Sequence, residues 1–175
     1  MLRFLILMFF ILTTNTVFAN LFDNPKDVEY IVNNIPEFGD VECSFRQERT
    51  VSGSNIVLNS SGDFKFEKEN GVVFYTTYPI KSVSSYNTKE NQQINNIIKS
   101  ISDKSYSRLK KDFEFYFLEN QEQWTLGLKP NSKSQIANYL KMITIEGTHN
   151  TNSPVISRME IVTQKGDVTK IWWNF

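Results

Sequence analysis

Cysteine and histidine are almost missing from this sequence. Cys43 is the single thiol and His149 the single imidazole in 175 residues. A disulfide framework within the chain is excluded, so the fold must be held by its apolar core. A zinc site needs several His or Cys ligands, and the chain cannot supply them. Any Ser-His-Asp or Cys-His pairing must use His149, which stands in a Thr148-His149-Asn150-Thr151-Asn152 stretch. Excess charge is missing as well, with 19 Lys and Arg against 19 Asp and Glu. A near-neutral chain has no general electrostatic reason to hold nucleic acid, and it lacks a polybasic run to seek anionic lipid heads. No Gly-rich phosphate loop is present. Acidic residues are scattered, and nothing selects two of them as a glycosidase pair. The expectation is a non-enzyme with no catalytic residue, no metal and no cofactor.

Long apolar runs are also scarce. The exception is Phe4 to Leu12, which follows Arg3 and is too short to span a bilayer as a helix. Val17-Phe18-Ala19 places small residues three and one before a cut. Residues 1–19 read as a secretory signal peptide cleaved after Ala19, with residues 20–175 as a single domain. The residue directly after that cut is Asn20 and not a cysteine, so a lipid anchor there is not expected.

Aromatic residues are abundant, at 14 Phe, 7 Tyr and 3 Trp. Many fall in period-two alternation, which puts alternate side chains on opposite faces of a strand. Val41, Cys43 and Phe45 share one face, and Phe64 and Phe66 share another. Val72 to Tyr78 is apolar or aromatic at both parities, which predicts cover on both faces. Cys43 reads as a small core hydrophobe, since only Arg46 and Arg49 on its own strand offer the electropositive neighbour a reactive thiol needs. Ser60-Ser61-Gly62 predicts a bulge or bend in the second strand. Glu69-Asn70-Gly71 predicts a hairpin, and Pro79 ends the third strand. Ile80 to Tyr86 is a candidate fourth strand. Further alternating runs begin at Asp112, Gln123, Met142, Val155 and Val168, which makes nine or ten strands in antiparallel meanders. Trp172 and Trp173 are adjacent, so one points in and one out. The outward one is expected to pack against helices.

Two stretches change period. Asp23-Asn24-Pro25 reads as a helix start, followed by Val28, Ile31, Val32 and Ile35 at helical spacing, to about Asn34. Ile94, Ile97, Ile98 and Ile101 repeat that spacing between Glu90 and Ser102. A short third helix is expected over Ser105 to Lys111, and a helical turn over Ser134 to Leu140. A helix inserted between two strand sets must lay its stripe on the concave face of the sheet.

The ordered set of motifs resembles the outer-membrane lipoprotein carrier family, the LolA-like proteins. It comprises the signal peptide, the first helix, Phe45-x-Gln47, Ser61-Gly62-x-Phe64-x-Phe66 and Thr77-Tyr78-Pro79. The middle helix follows, then Leu109-x-x-x-Phe113, Trp124-x-Leu126-x-Leu128-x-Pro130, Ile143-x-Ile145-x-Gly147 and Gly166-Asp167-x-Thr169. The resemblance implies a mostly β (α+β) fold: a half-open antiparallel β-barrel of about 10–11 strands with a lid of two or three amphipathic helices. It implies a periplasmic monomer that shields acyl chains of a lipoprotein, or of another acylated or lipid cargo. Its implied partners are an inner-membrane ABC-type or other exporter and an outer-membrane acceptor. Carriers of the best-known type hold an arginine before an aromatic in the third-strand region, where it helps close the lid. Here Phe74 stands for the aromatic and the arginine position holds Val73 or, under another gapping, Lys68. The sequence is therefore a divergent member on this reading, with a question over release.

Independently of the likeness, acyl chains cannot cross water unshielded, because each methylene costs about 0.8 kcal/mol to expose. The expected cavity lining is Phe45, Phe64, Phe66, Phe74, Phe113, Phe115, Phe117 and Trp124. The expected lid residues are Val28, Ile31, Ile35, Ile94, Ile97 and Ile101. A second reading is a periplasmic lipoprotein-sensing or protein-interaction module of the same open-barrel fold with no transport role.

Overall fold

The computed structural model describes residues 20–85, 92–150 and 156–175. The proposed signal peptide, Tyr86 of the fourth strand, the start of the second helix at Glu90 and Val155 at the start of a later strand lie outside them. Helix α1 (Val28–Asn34) leads into strands β1 (Val41–Thr50), β2 (Val57–Glu67), β3 (Gly71–Tyr78) and β4 (Ser82–Ser85). Helix α2 (Gln92–Ser102) follows, and then β5 (Phe113–Glu119), β6 (Gln123–Pro130), β7 (Leu140–Thr148), β8 (Ile156–Thr163) and β9 (Val168–Asn174). The strands form one antiparallel sheet in the order β4-β3-β2-β1-β9-β8-β7-β6-β5. The sheet is not closed: β4 and β5 are its two edges, and the chain joining them carries α2. The half-open sheet with a helical cover is the architecture expected.

Nine strands are described, because Ser60-Ser61-Gly62 does not split β2. The register of β2 against β3 shifts between Ser61 and Gly62 while its pairing to β1 continues unbroken. The break is a bulge that bends one long strand. Gly71 closes the β2–β3 hairpin at φ +80°.

The first helix starts later than Asp23-Asn24-Pro25 implied. Pro25 forms an antiparallel bridge with Tyr116, and the Lys26 N–H donates to the Phe115 carbonyl at 2.7 Å. Residues 25–26 thus strap the β5 edge, and Asp27 takes the N-cap position. The third helix shrinks to a 3-10 turn at Leu109–Lys111, and the turn after β6 is a 3-10 helix at Gln135–Asn138. The expectation that β3 is covered on both faces fails. Val72 and Phe74 are buried, but Tyr75 and Tyr78 on the same strand are exposed. On the outer face of β3, Val73 is half-buried, whereas Tyr75 and Thr77 are exposed.

Candidate functional site

The inner face of the sheet is aromatic on both flanks and aliphatic between them, where β7 and β8 contribute Ile143, Ile145 and Met159. On one half, Phe74 stands edge-on to Phe45 at 4.8 Å and to Phe64 at 5.0 Å, and Phe64 meets Trp173 at 5.3 Å. Alternation places Phe45 opposite Trp173 in the β1–β9 register. On the other half, Phe117 stacks on Trp124 at 6.4 Å, and Phe115 meets Tyr106 at 6.1 Å. Phe66 packs against Phe38, and Phe113 opens the same face of β5. All eight expected lining residues are buried, none more than 4% exposed.

The two helices complete the interior. Ile31 and Ile35 of α1 and Ile97 and Ile101 of α2 are at most 1% exposed. Val28 and Ile94 are half-buried at its rim. Lining and lid residues belong to one continuous cluster. Ile98 and Trp173, absent from the expected set, also belong to it. Ile98 shared the helical stripe, whereas Trp173 could not be told from Trp172 by alternation alone.

Among the described residues these side chains pack against one another. The space among Phe38, Val41, Phe64, Phe66, Ile98 and Trp173 amounts to about 20 Å³. That is room for about one water and for no acyl chain. Of three buried side-chain polar atoms with no hydrogen-bond partner among the described residues, the Tyr106 hydroxyl and the Trp173 Nε1–H face this interior and the third is the Arg158 Nε on the outer face. Burial pushes the Tyr106 phenol well above its ordinary range. Such groups are costly in a dry core unless something satisfies them.

Polar contacts join the cover to the sheet at several points among the described residues. The Ser102 hydroxyl donates to the Phe38 carbonyl at 2.8 Å, and the Val72 N–H donates to the Asn95 side chain at 3.2 Å. Lys68 reaches Glu37 after α1 at 3.1 Å and Asp103 after α2 at 3.9 Å. It therefore touches the ends of both helices from the β2–β3 turn.

The outer face carries a cross-strand row in register: Arg46, Trp172, Arg158 and Glu146. The Arg46 guanidinium lies 4.2 Å from the Trp172 ring, and Arg158 is bound by Glu146 at 2.8 Å and Glu160 at 2.7 Å. Trp172 thus packs between guanidinium groups, and not against a helix as expected. Cys43 points inward against the core, and burial pushes its thiol up to about 12. That thiol is protonated at neutral pH and is a poor nucleophile. His149 lies 3.7 Å from Glu119 on the surface of the β5–β6 end. Among the described residues no group of three His, Cys, Asp or Glu is placed to hold a metal.

The chain is similar over most of its length to solved structures of two bacterial proteins. One is a LolA superfamily protein from Nitrosomonas europaea, at 9% identity and a TM-score of 0.38, covering 85% of this chain and 90% of that one. The other is a DUF1329 family protein from Desulfovibrio piger, at 9% identity and a TM-score of 0.35, covering 84% and 88%. No protein-family model and no curated protein matches the sequence.

Proposed function

We propose that this chain is a periplasmic carrier that takes acyl chains of a lipoprotein, or of another lipid cargo, into the space now filled by its helices. The observation carrying this reading is the apolar interface between two short helices and an open, aromatic-rich sheet, with room for about one water between Ile98 of α2 and Phe64, Phe66 and Trp173 of the sheet. In energetic terms the exchange is nearly balanced. Burying Ile97, Ile98 and Ile101 is worth roughly 5–9 kcal/mol, and burying an acyl chain of about fourteen methylenes roughly 11 kcal/mol. A cargo chain can therefore replace α2 on the sheet without either state being a deep trap. The unpartnered Trp173 Nε1–H and Tyr106 hydroxyl give the interior donors for an acyl carbonyl. On this reading an inner-membrane exporter loads the monomer and an outer-membrane acceptor empties it, with no covalent step.

The test is native mass spectrometry on the protein isolated gently from its own host. The expected result is a mass excess that releases as an acylated peptide or lipid, and that is lost in Ile97→Asp while the strand signature in circular dichroism remains. Cargo retained unchanged by Ile97→Asp would refute the assignment of α2 as cover. A chain that never retains or takes up an acyl probe would favour the sensing or protein-interaction module of the same fold.

A further inference from the structure

The sequence has no basic run, yet the antiparallel strands bring separated cations to one end of the half-barrel. That end is built by the start of β5, the β6–β7 connection, the β8–β9 hairpin, the β1–β2 hairpin and the β3–β4 turn. The Asn131 side-chain amide donates to the carbonyls of Lys110 and Lys111, and the Gln164 N–H donates to the Tyr139 carbonyl. The Ser52 N–H donates to Asp167. These contacts tie four of the five segments together. Lys110, Lys111, Lys133, Lys141 and Lys165 are exposed there, and none makes an ion pair among the described residues. The acids at this end are engaged: Asp112 by Ser134, Asp167 by Ser52 and Arg49, and Glu114 by the Tyr116 hydroxyl.

The same end carries the exposed apolar residues. Of the eleven large apolar side chains exposed among the described residues, Ile56, Val57, Leu58, Tyr78, Ile80 and Tyr139 lie at this end. Single exposed apolar residues mean nothing, but six at the same end as the unpaired lysines do. Ile80 is 76% exposed, and the neighbouring Lys81 is exposed too. The opposite end is acidic on balance: Glu37, Asp40, Glu67, Glu69, Glu119 and Glu122 stand there against Lys65 and Lys68, which pair with Glu67 and Glu37. A net charge near zero therefore conceals a strongly polarised molecule.

We propose that the basic, apolar end docks on an anionic phospholipid bilayer, with the acidic end held away from it. Lysines attract the lipid headgroups and the Ile56–Leu58 and Tyr78–Ile80 tips enter the interfacial layer. Neither part suffices alone, since a neutral bilayer lacks the attraction and a charged polymer lacks the apolar layer. This goes beyond acyl carriage and does not require it, so the two can fail separately.

The experiment is co-sedimentation of the protein, isolated from its own cells with its first residue fixed by intact mass, with phosphatidylcholine vesicles made with and without phosphatidylglycerol. Binding is expected only to the vesicles containing phosphatidylglycerol, and it should vanish in high salt. Lys110→Glu with Lys111→Glu and Lys133→Glu should lower partitioning roughly 100-fold, and Ile56→Ser with Ile80→Ser at least about tenfold. All five positions are exposed, so unfolding midpoints should stay near that of the unaltered protein. Equal binding to both vesicle types would overturn the proposal. So would equal loss in Lys65→Glu at the opposite end. Binding only to native membranes, lost after protease treatment, would also overturn it and assign the surface to a protein partner.

Discussion

Gly62 sits opposite Phe45 in β1 and Thr76 in β3, at the bulge that bends the second strand. A Cβ there would fall inside the Tyr75 carbonyl oxygen and within 2.9 Å of the Thr77 nitrogen. Both are backbone atoms, so the strands would have to part. Gly62→Ala should cost about 1–3 kcal/mol of stability, read as a lower urea midpoint at nearly constant slope. An unchanged midpoint would mean the bulge is not this tight. Asp167 is a second residue whose position decides something. Its carboxylate is held below the ordinary range, first by the Ser52 N–H and then by Arg49. A depressed folded value contributes stability that is complete above the unfolded value of 3.8 and is lost as pH falls through the folded one. The melting temperature should therefore fall below about pH 4, and Asp167→Asn should flatten that part of the profile. An identical acid limb in the variant would show that the β1–β2 and β8–β9 hairpins are not tied through this group.

At the scale of elements, α2 is the piece whose attachment matters. Its apolar stripe was legible because Ile94, Ile97, Ile98 and Ile101 repeat at helical spacing, and all four meet the core. The polar ties were not legible, because they join residues far apart in sequence: Ser102 to Phe38 and Lys68 to both Glu37 and Asp103. Ser102 is fully buried, so Ser102→Ala leaves the Phe38 carbonyl without its donor and should cost about 1–2 kcal/mol. Lys68 reaches the ends of both helices, but both its ion pairs are largely exposed. Exposed pairs are worth about 0–1 kcal/mol, so Lys68→Met should matter little. If α2 is the moving cover, Ser102→Ala should speed uptake of a fluorescent acyl probe by up to about tenfold, while Lys68→Met barely changes it. Stopped-flow uptake separates these outcomes. The reverse order would make Lys68 the latch. The start of α1 was misread for a related reason: a cap signal at Asp23 and Asn24 says nothing of the β5 edge that captures Pro25 and Lys26 instead.

For the whole molecule, period-two alternation was enough to reveal an antiparallel sheet, and a helix between two strand sets was enough to place its stripe on the concave face. The state of the interior was not readable. Phe45, Phe64, Phe74 and Trp124 look the same in sequence whether they line a cavity or fill a core, and here they fill one. The end-to-end charge separation was hidden too, because Lys110, Lys133, Lys141 and Lys165 meet only once the strands have reversed direction three times. The filled interior yields the most demanding prediction. A space of about 20 Å³ cannot admit an acyl chain unless something leaves it. The strands are tied to one another by ladders from β4 to β5, whereas α2 meets the sheet through the apolar stripe of Ile94, Ile97, Ile98 and Ile101. On the proposed reading the helix is what moves. Adding a palmitoylated peptide should therefore raise hydrogen exchange across residues 94–102 while amides of β1, β7 and β8 stay protected. Exchange that rises in the sheet as well would mean the ligand unfolds the protein. Exchange unchanged everywhere, with the peptide bound, would place the acyl chain outside the interior and leave the aromatic face as a core only.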